Sequence, residues 1–144
     1  MAADTGLDVV TGAFSYTGGA IARRILANGR HVRTLTGHHH SAGTIKDRVE
    51  VVPYAFDEPA ALARSLEGAT TLYNTYQVRF DRGSVSFNRA IENSKRLFIA
   101  AREAGVSRIV HVSVTNPSLD SRFPYFSLNT SCCAAVVLNP FLLL

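Results

Sequence analysis

A chain of 144 residues, 47% hydrophobic and 18% charged, is the size of one domain and carries enough apolar side chains for one core. That composition excludes a disordered, collagen-like or disulfide-stapled chain. Fifteen basic against eleven acidic residues leave a formal charge of +4, and the basic residues, nearly all Arg, are scattered rather than gathered as a nucleic-acid surface requires. So weak a balance suits a small anionic ligand.

Val9-Val10, apolar without alternation, reads as a buried parallel strand running into Thr11-Gly12. From Gly18, Ile21, Ala22, Ile25 and Leu26 recur at helical spacing, and Asn28-Gly29 supplies the stop. His31 to Thr36 is a second strand, followed by a polar loop from Gly37 to Gly43, and Glu50 to Ala55 is a third. Pro53 lies inside that third strand and cannot donate to a ladder, which requires a sheet edge. Asp57 is expected to cap the next helix, with Pro59 in its first turn, Leu62 and Leu66 on one face and Gly68 past its end. Thr70 to Tyr76 is a fourth strand. Phe87, Ala90, Ile91, Phe98 and Ala101 mark one stripe of a long helix that ends at Gly105, and Arg108 to Val114 is a fifth strand.

This alternation predicts an α/β fold of the Rossmann type, a doubly wound parallel sheet of strand order 3-2-1-4-5 in three layers, with residues 1–144 as a single domain. The longest apolar run, Cys132 to Leu138, is broken by Asn139-Pro140 and falls short of the roughly 20 residues that span a bilayer, so no membrane span is expected. Met1 to Leu7 holds Asp4 where a signal peptide would carry Lys or Arg, and the expected location is cytoplasmic. Cys132 and Cys133 are adjacent, a spacing at which a bridge is strained, so both are read as free thiols. The run His38-His39-His40 reads as a solvated loop, since consecutive residues seldom converge on one ion, and no metal site is expected.

The segment Thr11-Gly12-Ala13-Phe14-Ser15-Tyr16-Thr17-Gly18 joins the first strand to the first helix. At such a junction the free N–H groups of the helix amino end and its dipole attract a pyrophosphate. Gly12 permits the tight turn and Gly18 permits close packing of helix on strand. The spacing is not the Gly-x-Gly-x-x-Gly of ordinary dehydrogenases, because Ser15 stands between glycines six apart.

Thr11-Gly12-Ala13-x-x-Tyr16-Thr17-Gly18, Val32-Arg33-Thr34-Leu35, Asn93 and Ile109-Val110-His111-Val112-Ser113-Val114 together resemble the atypical short-chain dehydrogenase/reductase group, in particular its NAD(P)H-binding, NmrA-like and NAD-dependent epimerase-like members. The resemblance covers residues 8 to 126. It implies a dinucleotide whose pyrophosphate lies over Gly12, Phe14, Ser15, Tyr16, Thr17 and Gly18. An acidic residue about 20 positions beyond the glycines would hold the ribose hydroxyls of NAD, and Thr34 to Gly43 contains none. Arg33 and the three histidines are the nearby groups for a 2′-phosphate, so the expected cofactor is NADP, with NAD as the alternative. Asn74 and Thr75, ending the fourth strand, are expected at the carboxyl edge of the sheet, where ligands bind in open α/β sheets. In relatives, the position of Asn93 orders the active-site water.

Reductases of this group carry a Ser or Thr after the fifth strand, a Tyr about a dozen residues later and a Lys four beyond the Tyr. Ser113 or Thr115 and Tyr125 match the first two, and Asn129 stands at the lysine position. An ammonium beside the phenol lowers its pKa and allows proton transfer near neutrality, whereas an amide brings no charge. Tyr125 is therefore expected to be at best a weak acid catalyst.

After Tyr125-Phe126 the chain departs from the group. Val136 to Phe141 looks like a sixth strand with Asn139 for the usual Arg, but it is too close to Tyr125 for a normal crossover helix, so either the segment is shortened or the final residues are not homologous, and the substrate-binding portion is expected to be missing beyond Leu144. The resemblance thus implies an NAD(P)-binding domain related to oxidoreductases and sugar-nucleotide epimerases, retaining binding without turnover. Its rivals are a working oxidoreductase acting on a small-molecule substrate through Ser113 and Tyr125, and a non-catalytic dinucleotide sensor or assembly subunit of the NmrA-like kind. A protein partner or a second copy of the chain is expected in the last case, with Phe141 to Leu144 as either a candidate contact or part of an unfinished core.

Overall fold

The computed structural model describes residues 5–37, 45–76, 86–113, 118–123 and 127. Five strands lie parallel in the order β3-β2-β1-β4-β5: β1 Leu7–Thr11, β2 His31–Thr36, β3 Val49–Pro53, β4 Ala69–Asn74 and β5 Arg108–His111. Among the described residues three α-helices, α1 Tyr16–Ala27, α2 Pro59–Arg64 and α3 Phe87–Glu103, and a short 3-10 helix, Lys46–Arg48, connect them. The chain winds outward from β1 through β2 to β3, then crosses to the other side of β1 to build β4 and β5. The carboxyl ends of β1 and β4 therefore flank the switch point at which a ligand crevice opens.

Side chains of consecutive strand residues point to opposite faces, and both faces of this sheet are covered. Val9 joins Leu35, Leu62, Leu66, Leu72, Leu97, Phe98 and Ile109 in a core under α2 and α3. Its neighbour Val10 joins Ala13, Ala22, Ile25, Leu26 and Val32 under α1. Helix, sheet and helix make the three layers, which is why Val9 and Val10 are both apolar without alternation. Pro53 sits on the edge strand, opposite Thr36, as its missing N–H demands.

Several boundaries shift from their sequence reading. The strands β3, β4 and β5 end at Pro53, Asn74 and His111, short of Ala55, Tyr76 and Val114. Helix α1 begins at Tyr16 because the Ser15 hydroxyl caps it, accepting from the Gly18 N–H. Asp57 does not cap α2. Pro59 opens that helix, Glu58 occupies the cap position without a side-chain bond, and the Asp57 carboxylate accepts instead from Arg96 Nη1 at 2.9 Å. A proline's fixed φ selects the first helical position, which leaves Asp57 one residue too far out.

At the amino edge, Arg30 grips Asp8 with two bonds, Nε to Oδ2 at 2.7 Å and Nη2 to Oδ1 at 2.9 Å. Asp8 is 2% exposed, so its charge depends on that fork. The candidate site lies at the opposite, carboxyl edge.

Candidate functional site

Gly12 turns the chain out of β1 with φ +63°, a left-handed conformation that costs a residue bearing Cβ. Its N–H donates to Leu35 O at 2.9 Å, and the next N–H, of Ala13, donates to Thr34 Oγ1 at 3.0 Å. Thr34 in turn donates to Val10 O, so β2 holds both ends of the turn. Ser15 Oγ donates to Gly12 O at 2.7 Å while accepting from Gly18 N at 3.3 Å. A Cβ on Gly18 would fall 2.2 Å from Gly12 O and 2.9 Å from Thr11 O, both backbone atoms. The absent side chain is what lets α1 rest directly on the turn.

The amino end of α1 thus opens at the switch point. No acidic residue stands in its first turn, so its partial positive charge is not offset. Ser15, Tyr16 and Thr17 are exposed around it, Tyr16 almost fully at 94%, while Phe14 packs against the core under α1. An exposed helix amino end with no acidic residue in its first turn fits a pyrophosphate, which binds through N–H groups.

The opposite lip comes from β4. Thr75 donates its N–H to Thr11 Oγ1 at 2.7 Å and its hydroxyl to Thr11 O, and its Oγ1 would lie 3.7 Å from a Cβ on Gly12. Asn74 is fully buried rather than open to ligand. Its Oδ1 accepts from Tyr76 N at 3.1 Å and Thr11 Oγ1 at 3.3 Å, and its Nδ2 meets His111 Nδ1 at 3.1 Å. Val112 N donates to Asn74 O at 3.0 Å, which sets half-buried Ser113 just beyond β5 at the same carboxyl edge. Asn93 on α3 donates Nδ2 to Tyr76 Oη at 3.1 Å.

Arg33 is not brought to this crevice. Glu50 lies directly opposite it in the β2–β3 register and accepts from Nε at 2.8 Å, while Nη1 donates to Ser65 O and Glu67 O ahead of β4. A cross-strand charge pair and two carbonyls draw the guanidinium to the amino side of the sheet. Thr115, Tyr125, Asn129, the three histidines and the segment from Cys132 to Leu144 lie outside the described residues.

Sequence reasoning gave no individual role to four groups in this region: Thr11, Tyr54, Tyr76 and His111. Tyr54, Phe56 and Tyr76 form an aromatic cluster beyond β3 and β4, with Tyr54 and Phe56 stacked at 4.7 Å between centroids. Burial pushes the Tyr54 phenol above its ordinary range, with a hydrogen bond to Thr11 opposing and Tyr76 adding to the shift. Burial lowers His111, whose ring stands edge-on to Phe98 at 5.7 Å and whose buried Nε2 has no hydrogen-bond partner among the described residues. A polar residue at alternating position in an otherwise apolar strand was the available signal for His111.

The pattern of the NAD(P)H-binding family matches residues 12–132. No curated protein matches the chain. Among solved structures the chain is similar to the triphenylmethane reductase of Citrobacter sp. complexed with NADP(H), at 21% identity and a TM-score of 0.74 over 94% of this chain and 46% of that one. It is similar to MoeE5 in complex with UDP-glucose and NAD, at 19% identity and a TM-score of 0.72 over 92% of this chain and 48% of the other. A short-chain dehydrogenase/reductase superfamily protein from Agrobacterium tumefaciens with bound NAD gives 20% identity and a TM-score of 0.73 over 92% and 44%. The chain spans about half the length of these structures, and likeness at these identities shows the fold. Among the described residues no helix is long and apolar enough to cross a membrane.

Proposed function

The chain belongs to the NAD(P)H-binding family, and from that membership we propose that the turn from Gly12 to Gly18 holds the pyrophosphate of a nicotinamide dinucleotide, NADP in preference to NAD. The observation that carries this reading is the contact of Gly18 with Gly12 O, which seats a helix amino end free of acidic residues at the switch point. Ser15, Tyr16 and Thr17 rim the phosphates, Phe14 supports the turn from below, and Thr75 faces the dinucleotide from just beyond β4. The NADP preference rests on the absence of a carboxylate between Thr34 and Gly43, since Arg33 is engaged with Glu50.

A bound nicotinamide supplies or accepts a hydride. Of the chain's own groups, Ser113 is proposed to hydrogen-bond a substrate carbonyl and Tyr125 to donate the proton, but Asn129 brings no charge to activate that phenol. The reading is therefore binding with little or no turnover, the condition in which a dinucleotide serves a sensor or an assembly subunit.

Calorimetric titration of the folded chain with NADPH and NADH tests it. Tighter binding of NADPH is expected. Tighter binding of NADH reverses the preference, and heat from neither ends the proposal. NADPH consumption across a panel of small carbonyl compounds is expected to stay at background, and consumption that Tyr125→Phe abolishes would establish a working reductase instead.

A further inference from the structure

We propose that the Asn74–His111 hydrogen bond is a proton-sensitive latch on the dinucleotide turn, closed when the imidazole is neutral and released when Nδ1 takes up a proton. The direction of each bond carries this inference. The backbone N–H of Tyr76 can only donate, so the Asn74 atom that faces it at 3.1 Å is the carbonyl oxygen. The other amide atom, Nδ2, is then a donor, and His111 Nδ1, 3.1 Å away, must accept. The ring is thereby set as the Nε2–H tautomer, with its basic lone pair pointed at Asn74.

Protonation at Nδ1 would place two donors face to face. Turning the Asn74 amide over relieves that conflict only by setting Nδ2 against the Tyr76 N–H and leaving the Thr11 hydroxyl to Tyr73 O at 3.5 Å or Thr75 Oγ1 at 3.4 Å. Thr11 is the last residue of β1, and its hydroxyl and carbonyl both bind Thr75 at the lip of the Gly12 turn. Each way of accommodating the proton loosens the edge where β4 meets that turn. By linkage, a ligand that needs the closed edge opposes proton uptake at His111.

Among the described residues nothing around the ring titrates in the same range. From β4 the ring meets the uncharged Asn74, and from α3 it meets Phe98. No ion pair among the described residues includes it. The phenols of the network are Tyr76, held by Asn93, and Tyr54, which burial keeps protonated. Burial also disfavours the charged imidazole, so the latch is closed at neutral pH and releases in acid.

This proposal rests on the dinucleotide reading only for its ligand-binding arm. The first measurement is nitrogen NMR of the ligand-free chain at neutral pH, where an Nε2–H imidazole is expected for His111 and an Nδ1–H imidazole overturns the latch whether or not any dinucleotide binds. The second is the dissociation constant of oxidised dinucleotide from pH 8 to pH 5, over the range in which circular dichroism shows a folded chain. The ratio between the two ends is expected to reach about tenfold in the native protein, within the usual 5–150-fold of coupled sites. It should fall to about onefold, apart from the ligand's own titration, in His111→Asn, which keeps an acceptor for Asn74 but cannot take a proton. Asn74→Asp reverses the polarity by accepting from a protonated ring, and its affinity should hold or rise in acid. An equal pH ratio in all three chains overturns the latch. Absence of binding at every pH removes the dinucleotide reading and leaves the tautomer and the pH dependence of unfolding to judge the pair.

Discussion

Gly18 and the carbonyl of Gly12 are so close that a Cβ on the former would lie 2.2 Å from the oxygen of the latter. Neither atom is the far end of a flexible side chain, so Gly18→Ala must lift α1 off the turn. Overpacking of this kind costs about 1–3 kcal/mol, and here it also displaces the helix amino end from the ligand. Urea denaturation should show that loss and calorimetry a loss of dinucleotide binding. Gly37→Ala meets nothing within 4 Å and should change stability by less than about 0.5 kcal/mol.

Ser15→Ala removes a true helix cap and should cost about 1 kcal/mol. Asp57→Ala removes exposed ion pairs with Arg96 and Arg89 and no cap, so about 0.5 kcal/mol or less is expected, vanishing in 1 M salt by the screening of exposed charges. Chemical denaturation with and without salt separates the two, and a salt-independent loss at Asp57 as large as that at Ser15 would restore Asp57 as a cap.

Arg30→Met strands the buried Asp8 carboxylate and should cost about 3–5 kcal/mol. Adding Asp8→Leu to the same chain should recover much of that loss, because a buried pair is worth less than the penalty of leaving one charge alone. Unfolding free energies of the two single variants and the double variant measure the coupling directly.

Stability should fall as pH drops below about 6.5, the ordinary imidazole value. His111 is lowered in the folded chain, so the unfolded chain binds the proton first and gains on the native state until the native ring titrates too. Tyr54 has the opposite sign: the native phenol is raised, so stability should fall as pH climbs past about 10, where the unfolded chain ionises first. His111→Asn should flatten the acid limb, and Tyr54→Phe the alkaline limb, of stability plotted against pH. Urea midpoints across the two ranges provide the check.

Element order, the sheet order β3-β2-β1-β4-β5 and the Gly12–Gly18 turn were legible in the sequence because their signals are local. Apolar runs, the stop at Asn28-Gly29, an edge demanded by Pro53 and two glycines at one strand-to-helix junction each act within a few residues. The tertiary structure alone decided which polar groups meet. Glu50 takes Arg33 because register sets it opposite, Arg96 takes Asp57 from 39 positions away, and His111 reaches Asn74 across 37. A buried polar group must bind whatever partner the packed strands deliver, so the roles of Arg33, Asn74 and His111 are properties of the sheet rather than of their neighbours in the chain.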